Sequence, residues 1–145
     1  DDTDVPRHVN NTVLDGQRND IEIYRCRGII SETPVYQAYL KQANDIKEKY
    51  RNCLLLGRYN DVFGFECSEK SLDARSFISE DGKQMAVVVA HQDMGNAERI
   101  SAQISAPGYR FLESSVTGSA QVSAGRKIRV DLGQYDMAVL LYEKE

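Results

Sequence analysis

The hydrophobic period of this chain changes near residue 53, and that change limits what the chain can fold into. Between residues 34 and 50, apolar side chains recur at steps of three and four, the period of a helix with one buried face. After residue 53, short β-type runs are separated by turn residues every eight to fourteen positions, which is typical of antiparallel sandwiches and barrels. The sequence therefore predicts a mainly β protein, with a seven- to eight-stranded antiparallel β-sandwich preceded by one amphipathic α-helix.

The helix is predicted to begin at Pro34, with Thr33 as its N-cap, because proline lacks the N–H that the first helical position leaves unpaired. It should end near Asn52. Its apolar stripe carries three tyrosines, and an exposed aromatic stripe would indicate a missing neighbour. The stripe consists of Tyr36, Tyr39, Leu40, Ala43, Ile46 and Tyr50.

Two turn signals organise the β region. The Asp-Gly pair at residues 81–82 predicts a hairpin, and the Pro-Gly pair at residues 107–108 predicts a type II turn. The last run, residues 137–142, is apolar throughout and should be central in its sheet. The predicted strands are residues 54–59, 74–79, 85–91, 100–105, 109–116, 120–123, 127–132 and 137–142.

Upstream of the helix the sequence is polar. Residues 1–20 lack sustained periodicity and are interpreted as an exposed or frayed leader, and the short apolar stretch at residues 21–30 as a strand or the rim of a larger structure. The start, without an initiator Met or an apolar leader, suggests a processed or engineered boundary. We therefore expect two parts: residues 1–53, the leader plus the helix, and residues 54–145, a self-sufficient β-sandwich.

Composition excludes several classes of protein. The 145 residues are 41% hydrophobic and 28% charged, as in one ordinary soluble domain. Eighteen Lys and Arg against 22 Asp and Glu give a net charge of −4, so no nucleic-acid partner is expected. The longest apolar run, residues 85–90, is far shorter than the ~20 residues that span a bilayer, so no membrane partner is expected either.

Cysteine and histidine give no sign of a metal site, a cofactor or a catalytic centre. Cys26, Cys53 and Cys67 form no C-x-x-C pair, and buried free thiols are the expected state, with one disulfide left open. The two histidines, His8 and His91, lie in unrelated contexts, and no calcium-loop spacing occurs. We predict no cofactor, no metal and no catalytic residue in this chain.

Two further patterns need an interpretation. Arg126, Lys127 and Arg129 form a short basic cluster in an alternating strand, which on an acidic chain favours a solvated sheet face. The Asn-Asn-Thr triplet at residues 10–12 fits the N-glycosylation pattern, a common match that matters only in a host that glycosylates.

Carbohydrate binding without catalysis is the one binding function the residues suggest. Tyr59, Tyr109 and Tyr135 fall in the β region, where aromatic rings can stack on the C–H faces of sugars. Against this stands the absence of Trp, and tyrosines in strands are commonly half-buried structural residues.

Three segments of the chain stand in a recognisable order: residues 24–30 (YRCRGII), 33–40 (TPVYQAYL) and 50–59 (YRNCLLLGRY). The Asp-Gly-Lys hairpin at residues 81–83 and the apolar last strand follow them. This order resembles the join between the last helix of a (β/α)8 barrel and a C-terminal antiparallel sandwich in bacterial glycoside-hydrolase-like proteins of the α-galactosidase and α-amylase kind.

The resemblance implies an accessory role. The barrel strands that carry the catalytic carboxylates of such proteins are absent from this chain, so no catalytic residue can be assigned from it. It implies that residues 1–53 are the remnant of a preceding catalytic barrel, and that the sandwich is a non-catalytic domain that stabilises this barrel of the same polypeptide. It also implies export from the cell. The alternatives are a stand-alone carbohydrate-binding module and a protein-interaction domain that buries Tyr36, Tyr39 and Tyr50 against a partner.

Overall fold

A computed structural model describes residues 5–17 and 33–145 of the protein as helices packed on a two-sheet sandwich. The helices are α1 (Val5–Leu14), α2 (Pro34–Lys49) and α3 (Arg51–Leu54). The strands are β1 (Arg58–Tyr59), β2 (Glu66–Cys67), β3 (Asp73–Ile78), β4 (Gln84–Ala90), β5 (Ile100–Ser105), β6 (Tyr109–Val116), β7 (Gln121–Ala124), β8 (Ile128–Leu132) and β9 (Met137–Lys144).

The strands form two antiparallel sheets, which confirms the predicted mainly β sandwich preceded by a helix. The five-stranded sheet has the order β1-β3-β4-β9-β6, and the four-stranded sheet has the order β2-β5-β8-β7. Strand β9 lies between β4 and β6 and is central, as its apolar sequence predicts. The described residues hold one strand more than the sequence suggested, because β2 has only two residues and no apolar alternation.

Both predicted turns are present. Gly82 has a positive φ of 73° in the β3–β4 hairpin, and Gly108 has a φ of 81° in the β5–β6 turn. The amide of Tyr109 donates to the carbonyl of Ala106 at 3.0 Å, closing the type II turn around Pro107 and Gly108.

The two sheets enclose an apolar core. Alternate residues of β4, namely Met85, Val87 and Val89, point into it and are fully buried. From the four-stranded sheet, the facing side chains include Ile104 and Val130. The alternation predicted for β8, with its apolar positions inward, is confirmed by the burial of Ile128, Val130 and Leu132.

The outer face of the five-stranded sheet is also buried, because the helices cover it. Ala86, Val88 and Ala90 of β4, with Met137 and Val139 of β9, form a second core. The helical side chains of this core come from α1, α2 and α3. Strands β4 and β9 are thus covered on both faces, which explains why their sequences are apolar throughout rather than alternating.

The prediction of an exposed or frayed leader is wrong over α1. Val9, Val13 and Leu14 are buried at 2%, 1% and 3% exposure against α2 and the sheet. The valines recur every four residues, but they are separated by Asn and Thr, which have low helix propensity. Burial against the neighbouring layer decides the conformation here. The expectation for residues 21–30 lies outside the described residues.

The predicted helix begins at Pro34, and its tyrosine stripe is covered by this chain itself. Tyr50 is 3% exposed, and Tyr36 and Tyr39 pack against the same core. The Tyr50 hydroxyl lies 2.8 Å from the hydroxyl of Ser115 on β6. The stripe therefore packs onto α1 and the five-stranded sheet.

The predicted strand at residues 54–59 is wrong except for its last two residues, which form β1. Cys53 and Leu54 instead close α3 and are buried against β4. Gly57 then lets the backbone pass close to two carbonyls, since a Cβ there would lie 2.3 Å from the Cys53 oxygen and 2.6 Å from that of Ile78. Among the described helices, none is long and apolar enough to cross a membrane.

Candidate functional site

The three tyrosines proposed as sugar platforms lie at three separate places. Tyr59, 45% exposed, is on β1 at one edge of the five-stranded sheet, where its ring meets that of Phe77 edge-on at 5.5 Å. Tyr109 begins β6 at the opposite edge. Tyr135 lies in the β8–β9 loop with a φ of 65°. The fold does not bring them together into one platform.

Tyr135 serves the fold through its backbone. Its amide donates to the carbonyl of His91 at 2.7 Å, and its carbonyl accepts a hydrogen bond from the Asn10 side chain at 3.0 Å. The loop that carries Tyr135 is therefore attached to the end of β4 and to α1.

Tyr109 lines a cleft of about 530 Å³ at the open end of the sandwich. Its walls are the β5–β6 turn with the start of β6 and the β7–β8 turn. The lining residues run from 104 to 111 and from 124 to 128, with Tyr142 of β9. Only Tyr109 was suggested by the sequence, because the two turns are distant in sequence and meet only when the two sheets stack.

Aromatic side chains form one part of the cleft. Phe111 is half-buried and meets the ring of Tyr142 edge-on at 5.7 Å. Tyr142 is only 2% exposed, and among the described residues its hydroxyl has no hydrogen-bond partner. Burial raises the pKa of Tyr142 to about 12.

The charged residues that line the cleft are all basic. Arg110 forms an ion pair with Glu143, which lies outside the lining. Arg126 and Lys127 are exposed and have no hydrogen bond or ion pair with any described residue. The third member of the predicted basic cluster, Arg129, points away on the outer face of β8, where it donates to the Ser101 hydroxyl at 3.2 Å.

A second surface feature lies at the other edge of the five-stranded sheet, around β1. Five large apolar side chains within nine consecutive residues are 43–66% exposed. We call them the apolar strip: Leu55, Leu56, Tyr59, Val62 and Phe63.

The buried polar groups near α1 are used by the fold. Asp136 is 7% exposed and accepts hydrogen bonds from the amides of Ser119 and Gly133 and from the Ser119 hydroxyl. His91 is fully buried, with its Nε2 2.9 Å from the carbonyl of Glu98. In the described part of the chain, no group of three or more His, Cys, Asp or Glu side chains is placed to hold a metal ion.

The thiols and the glycosylation triplet offer no reactive group either. Burial raises the pKa of Cys53 to about 11 and also raises that of Cys67, so neither is an activated nucleophile. Asn10 is fully buried and its side-chain amide donates to Gln92 and to the Tyr135 carbonyl. It is therefore inaccessible as a glycosylation acceptor in the folded chain.

Comparison with known proteins finds only distant structural likeness. No family model matches the sequence, and no curated protein matches it significantly. A crystal structure of the alpha-amylase from H. orenii is similar with a TM-score of 0.42 and 12% sequence identity. The match covers 77% of this chain and 20% of the amylase, and at this level it supports no conclusion about fold or function.

Proposed function

We propose that this chain is a non-catalytic accessory β-sandwich of a larger glycoside-hydrolase-like protein, in which it packs against and stabilises a catalytic barrel of the same polypeptide. The glycoside-hydrolase part of the proposal is supported by the sequence resemblance at the junction of helix and sandwich. The accessory role is supported by the exposed apolar strip beside β1.

The apolar strip is the observation that carries the proposal. The tyrosines of α2 pack onto the chain's own sheet, so the strip is the main cluster of exposed apolar side chains in the described residues. Exposed apolar patches commonly mark interaction sites, and β1 is an edge strand with unpaired backbone groups. The strip also follows α3 directly, where the resemblance places the passage from barrel to sandwich. We therefore take the barrel as its occupant.

The carboxyl group of Asp81, which lines a cleft at the β3–β4 turn, is poorly suited to act as a general acid. Glycoside hydrolysis requires an acid and a second carboxylate facing one another across a cleft. Glu80 and Asp81 lie together on the β3–β4 turn, but the Lys83 amide and the Ser79 hydroxyl donate to Asp81 and lower its pKa. A carboxyl group held in its charged form is a poor general acid.

Binding to the barrel in trans tests the proposal. We would express the remainder of the native gene product separately and titrate it with this chain and with the double variant Leu56→Ser/Phe63→Ser. The variant should bind at least about tenfold more weakly, since two buried apolar side chains are worth more than the ~1.4 kcal/mol that tenfold represents.

Met94→Ser is the matched control, because Met94 is 63% exposed but lies outside the strip, and it should bind like the unaltered chain. An unchanged affinity in the double variant would refute docking through the strip. A native gene product that consists of these 145 residues alone would refute the accessory role.

A further inference from the structure

We infer that the cleft beside Tyr109 binds a uronic acid unit of an oligosaccharide, with Arg126 and Lys127 holding its carboxylate and the Tyr109 ring packing on the sugar. The choice of a sugar among anionic ligands rests on the proposed function. The presence of the cleft and its positive charge do not depend on the proposed function. The cleft lies at the sheet edge opposite the apolar strip.

The cleft has the size and lining of a small-ligand site. Its volume of about 530 Å³ lies within the ~300–1,000 Å³ typical of such sites. Half-buried rings of Tyr109 and Phe111 stand beside small residues of the β5–β6 turn, among them Gly108. Apolar ring faces with a few polar groups suit the C–H and hydroxyl faces of a pyranose.

The charge of the cleft opposes that of the chain. The chain has a net charge of −4, yet the lining contains Arg110, Arg126 and Lys127 and no carboxylate. Glu143 neutralises Arg110, whereas Arg126 and Lys127 have no partner among the described residues. A guanidinium fork matches a carboxylate in shape and charge. The cleft should therefore prefer an anionic sugar to a neutral one.

Tyr142 gives an independent indication of a ligand. Its hydroxyl is buried without a partner among the described residues, and Tyr142 is one of the residues that line the cleft; an unpaired buried hydroxyl is unfavourable. Phenylalanine would make the same edge-on contact with Phe111 without that cost. The presence of tyrosine rather than phenylalanine at position 142 is explained if an oxygen of a bound ligand forms a hydrogen bond with this hydroxyl.

Isothermal titration of the full chain tests the inference. The probes are the trisaccharides of galacturonic, glucuronic and mannuronic acid, the neutral trisaccharides of the parent hexoses, and inorganic phosphate. At least one acidic trisaccharide should bind about tenfold or more tightly than its neutral counterpart, and phosphate should compete only weakly because it lacks the ring.

Variants locate the binding. Arg126→Gln/Lys127→Gln should weaken it at least about tenfold, and Tyr142→Phe about fivefold, the equivalent of one net hydrogen bond of ~1 kcal/mol. Arg58→Gln, an exposed arginine on β1 at the other edge, should leave it unchanged.

Equal affinity for acidic and neutral sugars, or no effect of the double variant, would overturn the role of the two cations. Phosphate binding as tightly as the acidic sugars would overturn the assignment of a sugar ligand. The absence of measurable binding by every probe would overturn the site itself. None of these results bears on the accessory role, which is tested separately by binding of the barrel to the apolar strip.

Discussion

The two faces of the five-stranded sheet are covered in different ways. On the inner face, β4 packs against the other sheet through apolar side chains such as Val87; on the outer face, Val88 packs against the helices. Both valines are fully buried. The helix–sheet contact is distinguished by a buried hydrogen-bond network that joins α1, α2 and the loops at the ends of β4 and β6.

Asn10 is the centre of that network. Its side-chain amide donates to Gln92 Oε1 at 3.2 Å and to the Tyr135 carbonyl at 3.0 Å, and its oxygen accepts from the Tyr39 hydroxyl at 2.6 Å. The Tyr39 hydroxyl also lies 2.9 Å from the Thr117 hydroxyl. Apolar contacts hold any two layers together, whereas satisfied directional bonds fix one arrangement. The helices are thereby attached to the sandwich at one defined position.

Removal of the helices should have the largest effect. A chain of residues 54–145 would expose the outer face of β4 and β9, including Val88, Met137 and Val139. We expect it to aggregate or to lose cooperative thermal unfolding, since an exposed apolar sheet face is an aggregation site. A monomeric fragment that melts within a few degrees of the full chain would instead support a self-sufficient sandwich.

Alkaline pH should destabilise the fold through buried groups of the helix–sheet contact. Burial raises the pKa of Tyr39 to about 12 and that of Cys53 to about 11. The folded state favours the neutral forms of both groups, so burying them contributes its full stability below pH ~9. This contribution is lost between pH ~9 and 12, because the unfolded chain gives up these protons at a lower pH than the folded chain. For each group, the free energy of unfolding lost over this range is roughly 2–3 kcal/mol.

Thermal unfolding from pH 8 to 11 measures this loss. Cys53→Ala should reduce the fall in melting temperature, leaving the titration of Tyr39, Tyr142 and Cys67. A melting temperature that stays constant to pH 11 in the unaltered chain would show that neither group is buried as described.

A pair of valine substitutions compares the two faces directly. Val87→Ala and Val88→Ala remove the same atoms from opposite faces of β4 and should each cost about 1–3 kcal/mol in urea unfolding. If Val88→Ala costs less than about 0.5 kcal/mol while Val87→Ala costs its full amount, the helices do not pack on the outer face.

The smallest expected effects come from two buried tyrosine hydroxyls. Tyr39→Phe leaves the Asn10 oxygen without its donor and should cost about 1–2 kcal/mol. Tyr142→Phe removes a hydroxyl that has no partner among the described residues and should be neutral or stabilising by up to about 1 kcal/mol. Equal destabilisation by both changes in chemical denaturation would erase the distinction between the two cores.

Local signals in the sequence predicted much of the fold. Pro34 marks the start of α2, the turn at residues 81–82 marks the β3–β4 hairpin, and alternation identifies β8. The two-residue strand β2 lacks such a signal, and in helix α1 the four-residue spacing of the valines is weakened by Asn and Thr between them. The conformation of both depends on contacts with distant parts of the chain. The strand predicted at residues 54–59 failed for the same reason, since burial of Cys53 and Leu54 against β4 extends the helical segment.

The candidate sites were less predictable. The sequence predicts Tyr109 as a sugar contact, but it predicts a solvated face for Arg126 and Lys127, because nothing local indicates that their turn meets the start of β6. The apolar strip was hidden inside a segment that reads as a strand. In both cases the chemistry depends on which residues remain exposed after the layers assemble.

Amide hydrogen exchange at residues 55–63, compared between this chain and its native gene product, tests the central claim most directly. The accessory role predicts a longer native product in which these amides exchange markedly more slowly than in the isolated chain, while those of residues 85–90, buried in both, do not change. A native product of the same length, or equal exchange at residues 55–63 in the two proteins, would contradict it.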